Sequence, residues 1–167
     1  GEVKPIKNNR IKELLEVLEE TDGKVIIWAV YRYDIQEIER TLGEKYGKES
    51  VATYYGDTKD NLRQSIVDRF MDANDPLRFF VGNPKTGGYG LTLTSSHTVV
   101  YYSNDYSLEV RLQSEDRAHR IGQTSKVTYV DLMADHTIDE KIVKALNAKI
   151  DLASQVMGED PKKLLFG

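Results

Sequence analysis

The chain has 167 residues, of which 40% are hydrophobic and 30% are charged, and its formal net charge is -4 at pH 7. This length suits one domain with a real core, or one domain with an appended helix. The acidic balance argues against a generally basic, histone-like nucleic-acid binder, although a local basic groove stays open. The lack of cysteine excludes disulfides, thiolate zinc sites and cysteine nucleophiles.

The chain shows no apolar run of about 18 residues and no leader-like start. These features predict neither a membrane span nor secretion, and they favour a cytoplasmic location. The three histidines, His97, His119 and His136, are scattered and lack metal-ligand spacing, so the sequence predicts no metal site of its own.

A helix and a strand are predicted first. Asn8 or Asn9 can cap a helix whose apolar residues recur at helical spacing up to Leu18. Residues 24–30 then form a nearly continuous apolar run with β-branched side chains, which is typical of a buried parallel strand.

The next helix is predicted to begin at a capping box formed by Asp34 and Glu37, and residues 51–55 read as the second strand. A turn and a third helix follow. That helix is expected to turn five apolar side chains inward: Leu62, Ile66, Val67, Phe70 and Met71.

The second half repeats the alternation. Strands are predicted at residues 77–82, 98–102 and 126–133. Between the last two, Ser107 caps a helix that runs to Gly122. A long closing helix is predicted from residue 137, where a second capping box occurs.

Strands that alternate with helices predict an α/β fold with a doubly wound, mostly parallel sheet and right-handed crossovers. Ligands of such sheets bind at the carboxyl ends of the strands. Four connections are therefore candidate functional loops: residues 31–34, 56–59, 84–90 and 104–107.

The glycine-rich connection at residues 85–94 can present backbone N–H groups to an anion. It lacks the lysine position of a P-loop and the third glycine of a dinucleotide fingerprint. It therefore does not form a complete nucleotide cradle. Two interpretations stay open: a plain tight connection, or a loop in which Lys85 and Thr86 touch a phosphate backbone.

Residues 113–123 place Arg117 and Arg120 three positions apart near a helix end at Gly122. Two guanidinium groups on one face can clamp a polyanion such as a phosphoryl group in transfer. The alternative is a solvated helix with internal pairs, because Gln113 with Arg117 and Asp116 with Arg120 have i,i+4 spacing.

Residues 113–123 closely resemble the sixth helicase motif of the Swi/Snf-related ATPases of helicase superfamily two. Other segments resemble further parts of that family in the same order: residues 25–29 the fourth motif, residues 55–57 with Arg63 and Phe70 the segment after it, residues 86–94 the fifth motif, and residues 139–142 the closing brace helix.

This resemblance implies the second RecA-like lobe of a two-lobed, ATP-driven translocase on double-stranded DNA. Residues 1–136 would form the helicase C-terminal domain, and residues 137–167 a brace helix and tail packed on it. The Walker lysine and the acidic Mg²⁺ motif belong to a first lobe that this sequence does not contain. ATP and Mg²⁺ would be held mainly by that lobe, and the isolated second lobe would be monomeric and inactive.

The resemblance also implies roles for individual residues. Arg117 and Arg120 would be catalytic arginine fingers on the γ-phosphate, with cleft support from Gln113, Gly88 and Gly90. The DNA-backbone contacts would come from Tyr31, Lys59, Lys85, Thr86 and Gly87.

Other functions and sources stay open at this point. The chain could be a lobe of a strand-unwinding helicase in the same superfamily, or a non-catalytic module that binds a phosphorylated partner. Its compactness favours a bacterial or viral source; a eukaryotic source would place the protein in the nucleus.

Overall fold

The structure is a computed structural model, and it describes residues 10–56, 58–86, 93–103, 107–116 and 127–132. The elements in chain order are α1 (Arg10–Glu19), β1 (Val25–Trp28), α2 (Arg32–Tyr46), a 3₁₀ turn (Lys48–Ser50), β2 (Val51–Tyr54), α3 (Asp60–Met71), β3 (Phe79–Gly82), β4 (Thr98–Tyr101), α4 (Leu108–Asp116) and β5 (Thr128–Asp131). The predicted closing helix and the division of the chain at residue 136 lie outside the described residues.

The five strands form one parallel sheet in the order β2-β3-β1-β4-β5. The first strand of the chain, β1, lies at the centre of the sheet, and later strands lie on both sides of it. This order confirms the prediction of a doubly wound parallel sheet.

Apolar clusters cover both faces of the sheet. Side chains alternate along a strand, so Val25 and Ile27 of β1 enter one cluster while Ile26 and Trp28 enter the other. Helices α1 and α2 cover the first face, and Phe70 of α3 packs on the second. All residues of β1 and β3 are buried, which is why these strands read as continuous apolar runs.

The predicted start of α2 is wrong. The helix begins at Arg32 with Tyr31 as its N-cap residue, and no side chain caps it. The Tyr31 carbonyl already accepts hydrogen bonds from the backbone N–H groups of Asp34 and Ile35. Asp34 therefore lies inside the first turn, where it is 1% exposed, and does not cap the helix with Glu37.

The predicted inward face of α3 is correct only in part. Phe70 is buried and Ile66 and Val67 pack against the same cluster, whereas Leu62 is 50% exposed and Met71 is 37% exposed. The reason is topological: α3 lies over β2, an edge strand of the described sheet, and no described strand lies beyond it to cover Leu62.

The cap of α4 is confirmed. The Ser107 hydroxyl oxygen accepts a hydrogen bond from the Val110 N–H at 3.3 Å. None of the helices in the described part of the chain combines the length and the apolar composition that crossing a bilayer requires.

Candidate functional site

The carboxyl ends of all five strands lie level with one another. Trp28 of β1 is in register with Gly82 on one side and Tyr101 on the other, and the register continues to Tyr54 and Asp131 at the two outer strands. The loops that follow these residues therefore open on one common edge. This is the edge where doubly wound sheets bind ligands.

The level ends depend on a close approach at Gly82. A Cβ atom at this position would lie 2.9 Å from the Tyr54 carbonyl oxygen, 3.0 Å from the Trp28 ring and 3.1 Å from the Phe80 ring. Only glycine leaves enough room here. Gly82 thus lets β3 end between its neighbours without pushing their loops apart.

Asn83, the residue after β3, connects three of the loops. Its backbone N–H donates to the Tyr54 carbonyl at 3.1 Å, and its Nδ2 donates to the Val30 carbonyl at 3.1 Å. Its Oδ1 accepts the Lys85 N–H at 2.9 Å. The sequence interpretation missed Asn83, although an Asn-Pro pair after a strand is a known turn signal.

Four of the five residues predicted to contact DNA are described, and all four lie on this edge. Tyr31 is the N-cap residue of α2, Lys59 is the N-cap residue of α3, and Lys85 and Thr86 are in the turn after β3. These loops follow the three neighbouring strands β1, β2 and β3. The fifth residue, Gly87, is outside the described part of the chain.

The exposed side chains on this edge include two lysines and two tyrosines, beside the exposed carboxylate of Asp60 at the start of α3. Lys59 and Lys85 are exposed, and Tyr31 and Tyr33 are 38% and 63% exposed. The two tyrosine rings stack, with their centroids 5.4 Å apart and an interplanar angle of 11°. Ammonium groups, hydroxyls and backbone N–H groups all donate hydrogen bonds, so the edge suits the phosphate oxygens of a nucleotide or nucleic acid.

Arg63, one of the residues that carries the family resemblance, holds the loop beside Lys59. Its Nε donates to the Thr58 carbonyl at 3.2 Å and its Nη2 donates to the Tyr55 carbonyl at 3.4 Å. The Thr58 hydroxyl also accepts the Tyr55 N–H at 3.1 Å. The loop that presents Lys59 is therefore bonded both internally and to α3.

A group of five residues, the Arg111 cluster, lies at the β4–β5 side of the same edge and consists of Tyr101, Arg111, Ser114, Glu115 and Asp131. Arg111 donates to both carboxylate oxygens of Asp131, at 2.7 and 3.0 Å, and to Glu115 at 3.1 Å. Its guanidinium carbon lies 3.5 Å from the centroid of the Tyr101 ring. Arg111 is therefore held from three sides.

The tyrosine hydroxyl in this cluster has a definite donor role. The Ser114 hydroxyl donates to the Arg111 carbonyl at 2.7 Å, and Tyr101 Oη lies 2.8 Å from Ser114 Oγ. Since a carbonyl can only accept and a serine has one hydroxyl proton, Tyr101 is the donor in the second bond. Burial of Tyr101 raises the pKa of its hydroxyl well above the ordinary value, which keeps that proton in place.

Burial also acts on Arg111. It disfavours the charged form, but the hydrogen bonds to Asp131 and the nearby charges outweigh it, so the pKa of Arg111 lies above its ordinary value. The guanidinium is therefore a permanent cation with 9% of its side chain exposed. The sequence interpretation missed the role of Arg111, because its bonds to Asp131 join residues 20 positions apart in the chain.

The nucleotide-facing predictions are described only in part. Gln113 is half-buried on α4, and its Nε2 lies 3.4 Å from Glu109 Oε1. Arg117, Arg120, Gly88 and Gly90 are outside the described residues, so their roles stay predictions. Among the described residues, no group of three or more His, Cys, Asp or Glu side chains is arranged to hold a metal ion.

Comparison with known proteins identifies the family. The family model described as "Helicase conserved C-terminal domain" matches residues 6–122. The chain is 32% identical over 156 residues to the ATP-dependent helicase fft2 of Schizosaccharomyces pombe, a match that covers 92% of the chain and 12% of the relative. It is 31% identical over 144 residues to the human chromatin-remodeling ATPase INO80, covering 86% of the chain and 9% of the relative.

These relatives are eukaryotic, so they lend no support to a bacterial or viral source. A crystal structure of the C-terminal part of the Fun30 ATPase domain superposes with a TM-score of 0.74 at 25% identity, covering 87% of this chain and 47% of that one. The flush parallel sheet, the family match and this superposition agree with one another. The chain belongs to the helicase conserved C-terminal domain family and is a C-terminal RecA-like lobe of the Swi/Snf-related type.

Proposed function

We propose that this chain is the second motor lobe of an ATP-dependent translocase on double-stranded DNA. The observation that carries the proposal is the flush carboxyl edge, on which three neighbouring strands open the loops that contain Tyr31, Lys59 and Lys85. A phosphate backbone is a continuous row of acceptors, and an edge of donors fits it without reading bases. The names of the relatives, an ATP-dependent helicase and a chromatin-remodeling ATPase, support an ATP-driven activity.

The chemical role proposed for this lobe is to complete a nucleotide site. A first lobe of the parent protein would hold ATP and Mg²⁺, and the ion would neutralise charge on the β- and γ-phosphates. Arg117 and Arg120 of this chain would contact the γ-phosphate, with Gln113, Gly88 and Gly90 shaping the cleft. The arginines would find their partner only when the two lobes meet, so closure would depend on ATP.

The arginine proposal is tested in the parent protein that contains both lobes. Arg117→Ala and Arg120→Ala should each lower kcat for DNA-stimulated ATP hydrolysis by about 10³-fold or more, the range known for arginine fingers. Arg40→Ala is the matched control, because Arg40 is an exposed arginine in the second half of α2. Hydrolysis near the wild-type rate in both finger variants would reject the assignment. The lobe alone should hydrolyse ATP negligibly, and robust turnover would contradict the half-site.

The DNA contacts are tested by salt dependence. Lys59→Ala and Lys85→Ala should each reduce the slope of log affinity against log salt concentration by about 1, because each removes one phosphate contact. Lys48→Ala is a close control: Lys48 is also exposed, but it precedes β2 at the amino edge of the sheet. If all three variants gave the same slope, the carboxyl edge would not be the DNA-binding surface.

The mechanical output separates translocation from unwinding. A translocase should displace a third strand from a triplex while leaving the duplex paired, whereas an unwinding helicase should separate the duplex itself. Separation of the duplex strands at the rate of triplex displacement would favour unwinding. A parent protein that neither hydrolyses ATP nor binds DNA would favour a non-catalytic module.

A further inference from the structure

Asp131 and Glu115 bind the same guanidinium but lie on different elements. Glu115 is four residues after Arg111 on α4, so their bond joins two positions of one helix. Asp131 is the last residue of β5, and its two bonds join α4 to the sheet. Of these two carboxylate contacts to Arg111, only the one to Asp131 joins the helix to the sheet.

The contact to Asp131 is also directional. A guanidinium that donates two hydrogen bonds to one carboxylate is held in the plane of that carboxylate. The Tyr101 ring, whose centroid lies 3.5 Å from the guanidinium carbon, packs against the flat face of the guanidinium. The Tyr101 hydroxyl reaches the same helix one turn later, at Ser114. Helix α4 is thus attached to β4 and β5 at two successive turns.

In the sequence, Arg117 directly follows Asp116, the last residue described for α4. We propose that Asp131 and Arg111 are positioning residues, which orient α4 on the sheet and thereby set where Arg117 and Arg120 reach in the closed cleft. This inference rests on the proposed finger role of those two arginines. A displacement of about 1 Å at a reacting centre can cost about 10²-fold in rate, so a small rotation of α4 is enough to matter.

The test uses the intact two-lobed protein with three variants. Asp131→Asn keeps the shape but weakens the charge-assisted fork, and Arg111→Lys keeps the charge but loses the fork. Both should lower kcat for ATP hydrolysis by about 10- to 100-fold, while KM for ATP and the DNA concentration at half-maximal rate change by less than about threefold. Glu115→Gln, the control on the same guanidinium, should lower kcat by less than about threefold.

Rates are measured at a temperature at which each variant is folded by circular dichroism. Dividing each kcat by the folded fraction removes any loss that unfolding alone causes, so the remaining contrast with Glu115→Gln identifies positioning. Wild-type kcat in both Asp131→Asn and Arg111→Lys would overturn the inference. An equal loss in Glu115→Gln would do the same, because that bond does not reach the sheet.

A mutant cycle separates this inference from the function on which it depends. Once Arg117→Ala and Arg120→Ala together have removed both fingers, Asp131→Asn should lower kcat by less than about threefold further, because no finger is left to orient. A full additional loss in that background would overturn the positioning role. If Arg117→Ala and Arg120→Ala each leave kcat unchanged, the finger proposal fails instead, and the two failures are thus distinguishable.

Discussion

The centre of the sheet and its β4–β5 side are held together by different forces. At the centre, β1 and β3 are buried along their whole length among apolar and aromatic side chains. At the other side, β5 is exposed or half-buried, and directional polar bonds of the Arg111 cluster join it to α4 and β4. Apolar burial has little directionality, whereas bidentate hydrogen bonds fix an orientation. The centre therefore secures the fold, and the side secures the placement of one helix.

The largest effect is expected from Phe80→Ala at the centre. The Phe80 ring lies 5.9 Å from Trp28, 5.3 Å from Tyr54 and 5.5 Å from Phe70, measured between ring centroids. Its removal should lower the free energy of unfolding by about 3–5 kcal/mol, because a cavity replaces a fully buried ring. Urea denaturation of the chain measures this loss. Phe80→Leu should cost less, and a loss below about 1 kcal/mol in Phe80→Ala would contradict central packing.

A second prediction concerns the tight contact at Gly82. Gly82→Ala should lower the free energy of unfolding by about 1–3 kcal/mol, because the new methyl group meets the Tyr54 carbonyl and the Trp28 ring. Gly43→Ala on α2 is the control with the opposite sign. Its new Cβ would meet nothing closer than 3.9 Å, so better helix propensity should raise stability by about 0.5–1 kcal/mol. A gain in stability in Gly82→Ala as well would show that the contact at Gly82 relaxes.

A third and smaller effect tests the polar side. Ser114→Ala should lower the free energy of unfolding by about 1–2 kcal/mol, because it leaves the buried Tyr101 hydroxyl without its acceptor. Adding Tyr101→Phe should restore part of this loss, since removing both partners costs less than removing one. Urea denaturation of the two single variants and the double variant gives the coupling energy. Purely additive losses would mean that the hydroxyl pair contributes nothing beyond its separate parts.

The smallest effect belongs to a half-buried contact in the turn between α3 and β3. The Leu77 N–H donates to Asp75 Oδ1 at 2.9 Å and lowers the pKa of Asp75. A carboxylate with a lowered folded pKa adds stability above its unfolded pKa and loses it as the pH falls through the folded pKa. Asp75→Asn should therefore lower the melting temperature slightly at pH 7 and leave it unchanged in strong acid. A difference that persists at acid pH would exclude the charge as its cause.

The sequence predicted the sheet well because its central strands are unbroken apolar runs bounded by turns. The five strands and the cap at Ser107 follow from local patterns, whereas the family resemblance singled out Tyr31, Lys59, Lys85 and Thr86. The start of α2 and the exposure of Leu62 could not be predicted in this way. The start of α2 depends on which backbone carbonyl accepts hydrogen bonds from its first N–H groups. The exposure of Leu62 depends on which strand lies at the edge of the sheet.

The Arg111 cluster was also beyond sequence patterns. Its key bonds join residues that are 20 positions apart in the chain, and neither i,i+4 spacing nor strand periodicity connects them. Asn83 is similar: its turn signal is visible, but its bond to Val30 spans 53 positions. Contacts of this kind become visible only once the strand order is known.

The chain has a single tryptophan, and its position has a practical consequence. Trp28 ends the central strand, is 0% exposed and packs beside both Phe80 and Gly82. Its fluorescence therefore reports on the centre of the sheet alone. A probe that follows α4, compared with tryptophan emission during denaturation, would reveal whether the β4–β5 side detaches before the centre melts. One native chromophore thus provides an optical reading of whether the two regions unfold together.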